Sequence, residues 1–330
     1  MNTKTWLAAY FYHTEDSWSN FLTNHVKVFV EDIQKKKWAD QFFFIRYWER
    51  GPHIRLRFKG DKKTLENKLK PYLDNYFKKY FKKNPSKREN PEWLKKLPKD
   101  QKWFPNNTIQ YIEYEPETER YGGSKGILIA EKQFEASSKA VLSVMKESAD
   151  WNYDRALGTA IQMHLGFAFA LQMSVEELKH FCSLVYNGWF PRAYSYDPNR
   201  TAEETKKIQK VILKAFEENF GKQKPGLINY HQTIWNALKE NTEFEQEWFN
   251  QWIKDMKRIN TELRSSQKQK KLVFPKWFRS NNKIKISKSN QSLWSILESY
   301  VHMTNNRLGI LNRDEAYLGF IIMNCIKEIT

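Results

Sequence analysis

The sequence predicts an α+β fold, with a strand-rich N-terminal region followed by a mainly helical C-terminal half. Three observations lead there. Phe42–Phe58 reads as two strands joined at a Gly-Pro turn near residue 51, and after that turn side chains alternate between apolar and polar. From Glu131 onward apolar residues recur at helical spacing, with two capping-box signatures among them. The strands come first and the helices after, which is the order of an α+β chain and not of an alternating α/β one.

Taken in order, Trp6–Tyr12 is a short aromatic and aliphatic run that reads as a strand. Trp18–Lys35 has helical spacing through Phe21, Val26, Val28, Phe29 and Ile33. Phe42–Phe58 reads as two strands joined at Glu49-Arg50-Gly51-Pro52. Thr64–Lys82 is amphipathic, with Leu65, Leu69, Tyr72, Leu73, Tyr76 and Phe77 on one side. Residues 83–107 are rich in Lys, Pro and Asn and form an exposed excursion. Thr108–Tyr114 resumes strand character, and Gly122-Gly123 marks a turn.

The helical half begins with Phe134, Ser138, Val141 and Met145 on one face, then Tyr153–Met173. Ser174 with Glu177 caps a helix over Val175–Tyr186, and Thr201 with Glu204 caps one ending near Gly221. Tyr230–Glu262 and Gln291–Thr304 are helical, Ser265–Lys271 reads as a loop, and Asp314–Glu328 closes the chain as an apolar helix. There are no internal repeats. The chain is read as one domain over 1–330, strand-rich over 1–130 and helical over 131–330.

The net charge is +17, which favours anionic partners. Much of it is lysine scattered through polar segments, and no basic-aromatic recognition module accompanies it, so nucleic-acid binding is the lesser reading. Cys182 and Cys325 sit among apolar neighbours and read as buried thiols of a reducing compartment. His13, Glu15 and Asp16 interrupt any signal-like run, and Leu165–Leu171 is far too short to span a bilayer, so a cytoplasmic location is expected. Neither HExxH, CxxC, GxSxG, a dinucleotide fingerprint nor GxxxxGK occurs. Zinc, serine-hydrolase and nucleotide chemistry are therefore not expected.

Three segments carry the polar residues of interest. In Pro52–Phe58, strand alternation puts His53, Arg55 and Arg57 on one face and Ile54, Leu56 and Phe58 on the other. Two guanidinium groups side by side suit a carboxylate or phosphate, or they pair with acids of a neighbouring strand on a solvated face. In Tyr114–Gly123, Arg120 follows three acids and is either their partner or a third cation of the same site. In His302–Gly309, at the end of a helix, His302 is a core or capping histidine, or a proton-transfer group.

Together these segments resemble the C-terminal, glutamate-eliminating domain of lantibiotic dehydratases and the stand-alone thiopeptide-type bacteriocin biosynthesis proteins. The matching stretches are Phe43–Trp48 with Gly51–Phe58, then Tyr114–Glu117 with Glu119–Gly123, then His302-Met303 with Asn306-Arg307-Leu308. Their order and wide spacing make the likeness specific, and it covers nearly the whole chain.

The resemblance implies that glutamate is removed from glutamylated Ser or Thr of a ribosomal precursor peptide, leaving dehydroalanine or dehydrobutyrine. It implies Arg55, Arg57, Arg120 and His302 as catalytic residues. It also implies Arg46, His53, Tyr121, Asn306 and Arg307 as substrate-binding ones, with no metal or redox cofactor required. Full-length dehydratases carry a glutamylating domain that 330 residues do not accommodate. A separate partner that uses glutamyl-tRNA is therefore expected, and a homo-oligomer is possible. Two other functions compete. One is pyridine synthesis by aza-[4+2] cycloaddition of two dehydroalanines with leader release; the other is a non-catalytic leader-peptide-binding subunit. Retention of all four polar positions favours elimination, because a cycloaddition has no glutamate to hold.

Overall fold

A computed structural model describes residues 4–15, 18–194, 197, 199–276 and 284–328. The chain forms two compact units. The first comprises residues 1–117 and 134–151, the second 118–133 and 152–330.

The first unit holds a four-stranded antiparallel sheet in the order β2-β3-β1-β4, built from β1 (Lys4–Tyr12), β2 (Gln41–Tyr47), β3 (His53–Asp61) and β4 (Thr108–Tyr111). A helical stretch over 19–35 links β1 to β2: α1 (Ser19–Phe21), a π-helical turn (Leu22–Val26) and α2 (Lys27–Lys35). A second links β3 to β4: α3 (Lys62–Thr64), another π-helical turn (Leu65–Leu69) and α4 (Lys70–Lys83). This βαββαβ order on an antiparallel sheet is the split-βαβ, ferredoxin-like arrangement. Ring contacts seat the helices on one sheet face, with Phe29 meeting Phe58 at 6.1 Å and Phe77 meeting Phe11 at 4.4 Å. After Lys83 ends α4, residues 84–107 carry only two short 3₁₀ turns, Glu92–Lys96 and Lys99–Gln101, and most of their side chains are exposed.

The second unit is helical. It contains α6 (Tyr153–Ala170), α7 (Val175–Trp189), α8 (Ala202–Lys239), α9 (Glu247–Lys268), α10 (Lys288–Leu308) and α11 (Asn312–Cys325). Helix α5 (Gly123–Glu147) contributes 123–133 to this unit and the remainder to the first. Both expected capping boxes form, at Ser174/Glu177 and Thr201/Glu204. Trp252 anchors α9 by burying its ring and donating from Nε1 to the Met163 carbonyl at 2.9 Å.

Among the described residues no helix is long and apolar enough to cross a membrane. The α+β expectation is met. Four local expectations are corrected. Helix starts at Gly123, not 131, directly after the glycine turn. Helix α8 does not stop near Gly221 but runs through Pro225 to Lys239, and the helix expected over Tyr230–Glu262 is divided by a break before α9 starts at Glu247; Gly221 and Gly226 face open space, while Phe216, His231 and Trp235 bury the other stripe. The stretch at 265–271 is not a loop throughout, because α9 extends to Lys268. Leu263 and Ser266 continue its buried stripe, and Lys and Gln are adequate helix formers.

Candidate functional site

The sheet of the first unit presents an arginine-rich, aromatic face. Register pairs Arg55 with Tyr10 and Ile45, and Arg57 with Ala8 and Phe43, so all these side chains point the same way. The Arg55 guanidinium carbon lies 3.6 Å from the Tyr47 ring centroid and 4.5 Å from that of Tyr10. Its Nε donates to His53 Nε2 at 3.0 Å, and Nη2 donates to Glu49 at 3.0 Å. Arg57 lies 4.3 Å from the Tyr114 centroid and 5.3 Å from that of Phe43, and Nη2 donates to the Tyr10 hydroxyl at 3.3 Å. Arg57 is buried, and its Nε has no hydrogen-bond partner among the described residues.

His53 is wholly enclosed. Its Nδ1–H donates to the Gly51 carbonyl at 2.7 Å, which leaves Nε2 to accept from Arg55. Burial, backed by the charges of Arg55 and Arg57, pushes its pKa down to about 4. A neutral imidazole is the form that can accept a hydrogen bond beside two cations. The turn that delivers this histidine needs Gly51, at φ 108°, where a side chain would be strained.

Arg46 does not join this group. Alternation along β2 places it with Phe42 and Phe44 on the opposite face, opposite Ile54 in register, with its guanidinium 5.9 Å from the Trp18 centroid. Burial lowers its pKa to about 10.

The other predicted residues belong to the second unit. Arg120 is half-buried, and its Nε donates to Ser299 Oγ of α10 at 2.8 Å. Gly122 at φ 88° turns the chain into α5. A Cβ on Gly126 would come within 1.9 Å of the Tyr121 carbonyl oxygen, so these glycines serve the turn and its packing and hold no phosphate loop. Tyr121 is buried and stacks with Tyr300, ring centroids 6.2 Å apart. Arg307 is fully enclosed and donates to the Met303 carbonyl at 2.7 Å, whereas Asn306 is half-buried.

His302 lies on α10, stacked on Trp189 with centroids 4.4 Å apart. Its Nδ1 meets buried Glu315 Oε1 at 2.8 Å. The second carboxylate oxygen accepts from Asn305 Nδ2 at 3.1 Å, and Asn305 Oδ1 accepts from His164 Nε2 at 2.8 Å. Burial pushes the His164 pKa down to about 4, so that ring is neutral. Each member of this chain fixes the next. A carboxylate can only accept, so His302 Nδ1 carries a proton, and in the neutral ring Nε2 presents the lone pair. Gly309, at φ 85°, ends α10 and allows α11 to return Glu315 beneath His302.

Sequence reasoning missed Glu315 and Glu298. Glu298 precedes His302 by one helical turn, and that spacing could have found it. Glu315 lies across the Gly309 turn, where no local periodicity signals it. Burial raises the Glu298 pKa against the pull of Arg120, His302 and Arg192, with Glu315 adding to the rise.

The structure thus defines a class: a split-βαβ sheet unit with an arginine-aromatic face, and a helical unit with a histidine–glutamate dyad beside a further arginine. The sequence profile of the lantibiotic biosynthesis dehydratase C-terminal family matches residues 6–325, and the chain belongs to that family. Similar folds include a pyridine synthase from thiomuracin biosynthesis, TbtD, with TM-score 0.70, 14% identity and 98% of each chain covered. TsrL aligns with TM-score 0.62 and 13% identity over 99% of this chain and 95% of that one. The tRNA-dependent lantibiotic dehydratase MibB from Microbispora sp. 107891 aligns with TM-score 0.58 and 18% identity; 98% of this chain is covered, but only 28% of MibB. No curated protein sequence matches.

Proposed function

We propose that this protein removes glutamate from glutamylated Ser or Thr of a ribosomal precursor peptide, giving dehydroalanine or dehydrobutyrine after a separate partner has attached the glutamate. The observation that carries the reading is the His302–Glu315 dyad, whose histidine lies on α10, the helix whose Ser299 accepts from Arg120 at 2.8 Å. β-Elimination needs a base for the peptide α-proton and a group that steadies negative charge on the departing carboxylate.

His302 Nε2 is the base. Glu315 holds the productive tautomer and stabilises the imidazolium that forms, as the buried carboxylate of a catalytic triad does. Arg120 favours the leaving carboxylate electrostatically. The Arg55–Arg57 face binds carboxylate chemistry of the substrate: exposed Glu49 occupies the Arg55 fork, marking the kind of group that fits there. His53, being enclosed, acts through Arg55 by fixing its Nε.

The test is mass spectrometry of the purified protein with two cognate peptides, one glutamylated and the other fully dehydrated. Release of free glutamate from the first peptide, abolished by His302→Ala, is the expected result. Change in the dehydrated peptide alone, with leader release, would assign pyridine synthesis instead. Binding of both peptides without conversion would make the protein a leader-binding subunit.

A further inference from the structure

We infer that Glu298 is a second catalytic residue of this elimination, the acid that hydrogen-bonds the departing carboxylate while His302 takes the α-proton; the inference rests on the elimination reading above. His302 has one free ring nitrogen, because Nδ1 is engaged by Glu315. A second proton-bearing group is therefore wanted on the leaving-group side, and Glu298 is placed for it. It stands four residues before His302 on α10, hence on the same helix face. The next residue, Ser299, holds Arg120 at 2.8 Å.

Across from it, Gly188 of α7 has no side chain to intrude: a Cβ there would lie 3.4 Å from Glu298 Oε1. Glu298 is only partly enclosed, so a substrate can reach it, and no hydrogen bond or ion pair among the described residues occupies its carboxyl. The groups that act on it are Arg120 ahead of α5, Arg192 after α7, His302 on its own helix and Glu315 on α11. Burial outweighs the three basic groups and lifts its pKa, which keeps the proton on at higher pH than an ordinary carboxyl would.

The step balances without a co-reactant. The Cα–H bond breaks and its proton passes to His302 Nε2. The released pair forms the Cα=Cβ bond, and the Cβ–O pair departs with the glutamate carboxylate, which accepts a hydrogen bond from the Glu298 O–H. His302 then returns its proton to solvent.

The experiment compares wild type, Glu298→Ala and Glu298→Gln on the glutamylated peptide, recording kcat, KM and their pH profiles. Wild type should lose rate as rising pH ionises Glu298. Glu298→Ala should lower kcat by about 10²-fold with little change in KM. Glu298→Gln keeps an N–H donor but cannot ionise, so it should retain more rate than the alanine variant and lose the fall in rate at rising pH. Should Glu298→Ala fail to fold, the isosteric Gln variant decides alone. Wild-type rate and an unchanged fall at rising pH in Glu298→Gln would overturn the inference and leave the elimination reading standing. Wild type that releases no glutamate would overturn both.

Discussion

Arg55 is held by two aromatic rings, a histidine and a carboxylate, and each contact uses the planarity of its guanidinium. Lysine would keep the charge but neither stack between Tyr10 and Tyr47 nor hold its donors in the fixed planar fork that reaches His53 and Glu49 together. Arg55→Lys should therefore lower kcat/KM for the glutamylated peptide by about 10- to 100-fold, the worth of one charge-assisted hydrogen bond. A melting temperature close to wild type would separate this from unfolding; full activity would mean that charge alone suffices.

Glu315 offers a sharper residue-scale test. In Glu315→Gln the amide oxygen is drawn to Asn305 Nδ2, whose direction His164 fixes by donating to Asn305 Oδ1. The amide NH₂ then faces His302 Nδ1, so the ring must carry its proton on Nε2 and cannot act as a base. Loss of kcat on the order of 10³-fold with unchanged fold is expected from steady-state kinetics. A variant within a few fold of wild type would remove the dyad from the mechanism.

At the scale of elements, two glycines in helices should respond to alanine with opposite signs. A Cβ on Gly126 would stand 1.9 Å from the Tyr121 carbonyl oxygen, so the turn that positions Arg120 must move. Gly158 of α6 has nothing within 4 Å of the added methyl. Urea titration should find Gly126→Ala destabilised by about 1–3 kcal/mol and Gly158→Ala stabilised by roughly 0.5–1 kcal/mol. Equal effects would refute the packing argument.

The same elements show what sequence can and cannot reveal. Strand alternation in β3 was legible because period two is a local property, and it correctly grouped His53, Arg55 and Arg57. Applied to β2 it would also have separated Arg46 from them. The continuation of α8 past Pro225 was not legible, since packing by Phe216, His231 and Trp235 overrides a local breaker. Nor was Glu315, whose meeting with His302 depends on how two helices fold back at Gly309.

For the whole molecule, buried histidines tie folding to pH. His53, His164 and His231 are each pushed down from 6.5 to about 4, chiefly by burial, and His25 shifts the same way. Between those values the unfolded chain binds protons that the folded chain refuses, so stability is complete above about 6.5 and falls as pH drops toward 4. Each strongly shifted histidine contributes a slope of about 1.4 kcal/mol per pH unit in that window. Glu298 acts in the opposite sense, because its raised pKa makes the folded form the better proton binder; it is one group against four. Melting temperature measured from pH 7 to 4.5 should therefore fall, and the fall should begin below about pH 6.5, before most carboxylates protonate. His231→Leu should make the fall shallower, because its ring keeps only the bond from Nδ1–H to the Leu227 carbonyl at 2.7 Å and titrates without a charged partner. A melting temperature that stays level to pH 4.5 would mean that these rings are protonated in the folded protein, and the neutral acceptor role given to His53 would fall with it.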